Sequence, residues 1–228
     1  MNRMAPRPPA SERLDRTEVL AAALAIADTD GLDAVTLRRV ATAFGVTPMA
    51  LYWHFKDKDA LLDALVERVL GEIDLSDGPS RGDGSDLGDG PELRAVMTAV
   101  LRVLRAHPAL AEIMPIRLMR TPAGLDLGER VLGLLRADGH PPVAAAQLSI
   151  LILTTLIGLV TNQPDDVAVP DPALRAKLLA DKRAKLKSLP SQDYPHLTET
   201  ADFFLEVPDE QDYYERGLTL LINGVRHG

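Results

Sequence analysis

The sequence contains no cysteine, which excludes disulfides, thiolate metal sites and a cysteine nucleophile. Such a chain suits a reducing compartment, and a cytoplasmic location is expected. Aromatic residues make up 4% of the chain, with a single tryptophan, Trp53. Enzyme signatures are missing too. There is no G-x-S-x-G, no glycine-rich phosphate loop and no H-E-x-x-H, and the five histidines, His54, His107, His140, His196 and His227, are scattered. Catalysis is therefore not expected. The first residues, MNRMAPRPPASERLDR, carry arginines but no apolar stretch, so they do not read as a secretory signal. Long hydrophobic runs are equally scarce. The one example, Val143 to Val160, is interrupted by Gln147, Ser149, Thr154, Thr155 and Gly158 and is followed by Asn162. It reads as a buried helix rather than a membrane span, and no membrane partner is expected.

Positive charge is in deficit: the formal net charge of the 228 residues is −8. The distribution changes what that means. Residues 1–60 hold eight basic and eight acidic side chains, so the whole excess of −8 falls on residues 61–228. A neutral N-terminal region on an acidic remainder leaves the first sixty residues as the part able to approach phosphates.

What is present is concentrated between Thr36 and Leu62, TLRRVATAFGVTPMALYWHFKDKDALL. Leu37, Val40, Ala41 and Phe44 fall at i, i+3, i+4 and i+7, one apolar stripe of a helix with Thr36 as its N-cap. Gly45 stops that helix, and Val46 supplies the apolar contact of a tight turn. Thr47 caps the next helix and Pro48 occupies its first position, where no backbone N–H is needed. This second helix, Pro48 to about His54, turns Ala50, Leu51 and Phe55 to the core. Thr47, Pro48, Met49, Tyr52, His54, Lys56 and Lys58 remain outside, the pattern of a DNA-binding helix-turn-helix.

Helical periodicity recurs along the whole chain, and no strand is expected. A first helix covers residues 14–30, and a longer one begins near Lys58 and runs to about Ile73. Later helices are expected at Leu93–Ala106, in a short segment after Pro108, at Pro122–Ala137 with Thr121 as cap, at Pro142 to about Asn162, over a basic stretch after Pro172, and from about Asp209. Residues 74–91 are dominated by Gly, Asp, Ser and Pro and read as a flexible loop, as does Gln163–Pro172. The expected organisation is a basic tail over 1–13, a three-helix head with a connecting helix over 14–73, the loop over 74–91, and a ligand-binding and dimerisation domain over 92–228. The fold class is all-α.

With these features, and above all LYWHFKDKDALLDAL at 51–65, the chain resembles the TetR family of transcriptional regulators, with the tetracycline-repressor branch most similar at the head. Matching positions include Thr36, Arg38, Ala41, Gly45, Val46, Leu51, Tyr52, His54, Phe55, Lys58 and Leu61. A weaker likeness continues through AHPALAEIM at 106–114, YPHL at 194–197 and YYERGLTLLINGV at 213–225. The resemblance implies a homodimer that binds a palindromic double-stranded operator as a repressor and is released by a small apolar or amphipathic molecule. By position, Arg38, Thr47, Pro48 and Met49 match base-reading residues, and Thr36, Tyr52, His54 and Lys58 match residues that hold phosphates. Pro48 and Met49 depart from the polar residues of tetracycline repressors, which implies a different operator. Trp53 reads as core or helix packing, Arg39 and Lys56 as either solvated or DNA-facing, and Arg3, Arg7 and Arg13 as either an arm or a solubilising tail.

For the body, the resemblance implies a dimer interface built from two helices of each subunit, 142–162 and 209–226, with Leu148, Leu151, Ile152, Leu156, Leu218, Leu221, Ile222 and Val225 as its apolar positions. Candidate ligand-lining residues are His107, Met114, Arg117, Leu118, Met119, Gln147, Thr154 and Thr155, for each of which an ordinary core role is an equal alternative. His107 lies near the place where tetracycline repressors use a histidine toward a drug–magnesium chelate. No paired carboxylates accompany it, so neither magnesium nor any other cofactor is expected. Two alternatives stand beside the repressor: a TetR-like activator, and a helical module that docks on a partner protein.

Overall fold

The structure, a computed structural model, describes residues 15–73, 91–162, 171–203 and 209–227. The expected tail at 1–13 and the expected loops, apart from their last one or two residues, lie outside the described residues. Twelve α-helices and two short 3-10 turns make up the described fold, and no strand occurs among these residues.

The head begins with α1 (Arg16–Asp30), capped by Asp15, whose carboxylate accepts the Thr17 N–H. Gly31, at φ 82°, ends it, a conformation that side-chain-bearing residues adopt only under strain. A 3-10 turn over Leu32–Ala34 leads to α2 (Leu37–Ala43), where the Thr36 hydroxyl accepts the Arg39 N–H at 3.1 Å. Such a cap is worth about 1 kcal/mol. The turn after α2 is a Schellman motif. Gly45 takes φ 63°, its N–H reaches Thr42 O, and Val46 N–H reaches back to Ala41 O. Phe44 ends the helix half-buried instead of joining the core stripe. α3 (Pro48–Tyr52) follows, two residues shorter than its pattern, and then α4 (Lys58–Leu70), capped by Asp57 onto Ala60 N–H. Leu51, Phe55, Leu61 and Leu65 are fully buried, and Arg16 stacks its guanidinium over the Phe55 ring. Each such apolar side chain contributes about 1.5–3 kcal/mol by leaving water, which holds three short helices that could not persist alone.

Two compact units divide the chain within α9. The first, up to Ile157, adds to the head α5 (Pro91–Ala106), α6 (Pro108–Ala111), α7 (Met114–Arg117), a 3-10 turn at Leu118–Arg120, α8 (Pro122–Ala137) and most of α9 (Pro142–Thr161). Thr121 caps α8 on Gly124 N–H, and the backbone passes so close there that a Cβ on Gly124 would lie 1.9 Å from Leu118 O. The second unit holds the end of α9, α10 (Pro172–Lys187), α11 (Pro195–Glu199) and α12 (Glu210–His227). Gly217 gives α12 room against Leu159, and Asp202 pairs with Lys187 at 2.6 Å. α11 is one turn started by Pro195, too short to show a period in the sequence.

In the single chain α9 is covered on one face only, and the resemblance implies that its other face meets a partner subunit. Ala145, Ile152, Leu156 and Val160 are buried, whereas Val143, Ile150 and Leu151 are open. It is long and apolar enough to cross a membrane, yet a core helix passes the same test, and its polar interruptions remain.

Candidate DNA-binding face and ligand cavity

The exposed candidate residues of the second and third helices of the head fall mainly at the starts of α2 and α3. Arg38, in the first turn of α2, is exposed and has no ion pair among the described residues, so its guanidinium is free to engage a base edge or a phosphate. Arg39 beside it is committed to Asp30 at the end of α1. Thr47, Pro48 and Met49 are exposed at the start of α3, and the Thr47 hydroxyl makes no capping bond. Tyr52 is exposed, His54 is half-buried against Phe55, and Lys58 places its ammonium 3.4 Å from Leu32 O. Thr36 is exposed while it caps α2. Trp53 differs from its sequence reading: it is 88% exposed. Its backbone is still helical and the Phe55 N–H returns to Leu51 O, so Trp53, two residues or about 200° of helical turn from buried Leu51, faces away from the core.

An ion-pair cluster ties α4 to the segment after α7. Arg117 is only 9% exposed and donates to Asp59 Oδ1 at 2.6 Å, Asp63 Oδ1 at 2.6 Å and the Asp59 carbonyl at 3.2 Å. Arg120 adds a contact to Asp63 Oδ2 at 2.9 Å. Burial alone would lower the Arg117 pKa, but the bonds to Asp59 and Asp63 outweigh it and hold the guanidinium charged. The same hydrogen bond and charge from Arg117 keep the Asp59 carboxyl below the usual carboxylate range. Two further ties run between head and body helices. His107 Nδ1 lies 2.9 Å from Asp28 Oδ2 with Nε2 3.6 Å from Glu72 Oε2, and Glu67 accepts the Ala123 N–H at the start of α8.

Leu118 and Met119, the two residues between those arginines, face the other way. They line an apolar cavity of about 100 Å³ together with Val96, Met97 and Val100 of α5, Leu127, Gly128, Val131 and Leu132 of α8, and Ser149, Ile150, Ile152, Leu153 and Leu156 of α9. Ser149 is the one polar side chain, and its hydroxyl donates to Ala146 O at 2.8 Å. Of the eight ligand candidates from sequence, Leu118 and Met119 line this cavity. The structure places the other six elsewhere: His107 and Arg117 in ion pairs to the head, Met114 in the core, and Gln147, Thr154 and Thr155 exposed on α9. No group of three His, Cys, Asp or Glu side chains that could hold a metal occurs among the described residues.

The apolar positions expected at a dimer interface also divide. Ile152, Leu156, Leu218, Ile222 and Val225 are buried within the single chain, Leu148 and Leu221 are half-buried, and Leu151 is open. Val143 and Ile150, open on α9, and Leu220, 74% exposed on α12, were not among them. The signal available was weak, because an apolar helix with polar residues scattered round it does not reveal which side its own chain covers.

Comparison with known proteins resolves what this arrangement belongs to. The model of the family described as bacterial regulatory proteins, tetR family, matches residues 19–65, and that of the tetracyclin repressor-like C-terminal domain matches residues 90–228. The chain belongs to the TetR family. Members of this family are DNA-binding transcription regulators and not enzymes. A TetR-family relative, an HTH-type transcriptional regulator of Saccharopolyspora erythraea, is 27% identical over 93% of this chain and 84% of its own length. The class C tetracycline repressor of Escherichia coli is 48% identical over 58 residues, which are 25% of this chain and 26% of the repressor. The TetR-like architecture of the whole chain is shared with apo ActR of Streptomyces coelicolor, at a TM-score of 0.75 and 27% identity over 98% of both chains, and ActR has also been crystallised with actinorhodin. The helix-turn-helix head and all-helical body expected from the sequence are thus both found.

Proposed function

We propose that this protein is a homodimeric cytoplasmic repressor that binds a palindromic operator and is released when a small molecule enters the α5–α8–α9 cavity. One observation carries the reading. The segment Arg117–Arg120 contributes Leu118 and Met119 to the cavity wall and, through Arg117 and Arg120, grips Asp59 and Asp63 of α4. Asp59 adjoins Lys58, a candidate phosphate contact. A ligand that displaces Leu118 or Met119 therefore pulls on the start of α4 and on the head it carries, a coupling between two sites through one packed element. Arg38 and Thr47 to Met49 would read bases, and Thr36, Tyr52, His54 and Lys58 would hold phosphates. ActR has been crystallised in complex with actinorhodin, which supports a small-molecule ligand for this chain.

Dimerisation is supported by the open apolar face of α9, where Val143, Ile150 and Leu151 meet water in the single chain. Two heads bound to one face of a duplex would reach major grooves about 34–36 Å apart. The test is to select duplexes from a random pool with the full chain, then titrate the winner between about 50 and 200 mM salt. A palindromic winner whose affinity falls steeply with salt, with loss of binding and monomer formation in Leu151→Glu, is the expected result. Selection of no duplex, or a Leu151→Glu dimer in sedimentation, overturns the corresponding part. A salt-insensitive association with a protein partner would favour the docking-module alternative.

A further inference from the structure

We infer that the cavity accepts an uncharged, ring-sized apolar molecule with at most one hydrogen-bonding group, and that Met119 resting on Gly128 sets the size it admits. This rests on the ligand-controlled reading above and narrows it.

The chemistry of the wall decides the class of ligand. Every lining side chain except Ser149 is a hydrocarbon, a thioether or a glycine. The Ser149 proton is already given to Ala146 O, so only an oxygen lone pair remains to meet a ligand N–H or O–H. Among the described residues no ionisable side chain lines the cavity: Arg117 and Arg120, one residue beyond the wall at either side, are both turned away into carboxylates of α4. A carboxylate, phosphate or ammonium group placed inside would lose its water without gaining a counter-charge, which strongly opposes entry. A metal chelate would meet the same obstacle. The volume, about 100 Å³, is of the order that holds a single aromatic ring.

Gly128 shows how the size is set. A Cβ built on it would fall 3.0 Å from Met119 Cε and 3.7 Å from Sδ, so the thioether lies directly over the bare helix backbone. Met119 is itself more than half exposed, which puts it at the mouth of the cavity, not its floor. A flexible unbranched side chain laid over a glycine can swing aside for a ligand and reseat behind it. An alanine at 128 would crowd that seat while strengthening α8, since alanine is the better helix former.

The experiment uses the full chain, with indole as the neutral probe and indole-2-carboxylate as its charged counterpart, read by calorimetry and thermal shift. Indole is expected to bind and the carboxylate to bind at least about 100-fold more weakly. Gly128→Ala is expected to weaken indole about tenfold with no loss of thermal stability. Gly128→Ala with Met119→Ala should restore the affinity, because the crowding partner is gone. Equal binding of the carboxylate overturns the class of ligand, and an unaffected Gly128→Ala variant or a failed rescue overturns the gate. If only charged compounds release a selected operator, the inference falls while ligand control stands. If indole does not bind, the inference falls, and if Gly128→Ala then also alters the dimer in sedimentation, the cavity is filled by a second copy of the chain.

Discussion

Replacing Arg117 by methionine tests the link between cavity and head most directly. Methionine keeps most of the stem's apolar volume and removes the guanidinium with its three hydrogen bonds to Asp59 and Asp63. Hydrogen bonds to charged groups contribute about 1.5–3 kcal/mol each when well shielded, but the two carboxylates are unequal. The Asp59 side chain is 66% exposed and regains water, so its bonds to Arg117 are screened by solvent and contribute little. Asp63 is 23% exposed and keeps Arg120 at 2.9 Å, so it is weakened, not orphaned. Together these give a loss of about 2 kcal/mol, far below the 3–5 kcal/mol or so of a fully buried pair losing one partner. For a chain of this size that lowers the Tm by about 4–8 °C. Urea unfolding with an unchanged slope and a shifted midpoint is the assay. Operator binding should persist while its response to ligand is blunted, because the cavity wall then holds α4 only through Arg120. A stability change under about 0.5 kcal/mol, or a fully retained ligand response, would refute the reasoning.

Other perturbations test other parts of the molecule. Arg38→Ala should relax base preference at one operator position, whereas Lys58→Ala should weaken all duplexes alike and flatten the salt dependence by about one phosphate; identical specificity profiles for the two would sink that division. Gly124→Ala should destabilise by more than about 3 kcal/mol in thermal unfolding, since its Cβ would meet the Leu118 carbonyl, and near-wild-type stability would mean that this turn relaxes freely. Acid should also loosen the α4 clamp in a defined window. The Asp59 pKa is lowered in the fold, so its contribution is intact above the ordinary carboxylate range and is lost as pH falls through the lowered value. Asp59→Asn should accordingly flatten the acid limb of the stability curve, and an unchanged limb would show that Asp59 plays no part in it.

Much of the fold was legible because its signals are local. Thr36 and Thr121 announced their helices through cap chemistry, Pro48, Pro122, Pro142 and Pro172 each stand at a helix start, and Gly45 marked the turn that its φ of 63° requires. The apolar stripe shows which residues of α2 and α3 stand outside the core, whereas the base-reading and phosphate-holding roles were implied only by the resemblance to TetR regulators. What escaped depends on distance. Arg117 looked like a ligand candidate because its partners lie 54 and 58 residues earlier in the chain. The cavity draws on α5, α8 and α9 at once, so no single period reveals it, and of its wall only Leu118 and Met119 stand among the ligand candidates from sequence. Trp53 was misread because its aromatic character outweighed its phase: two residues after buried Leu51, it stands on the side of the helical turn that faces away from the core.

Along Arg117–Arg120 the side chains alternate in duty, with the outer two engaged with the head and the inner two with the cavity. Under the proposed ligand control, changes of effector can accumulate at Leu118, Met119 and Gly128 without altering one charge that meets α4 or one candidate DNA contact. A lineage, or an engineer building a biosensor, can retune what the protein detects while the output stage stays wired as it is.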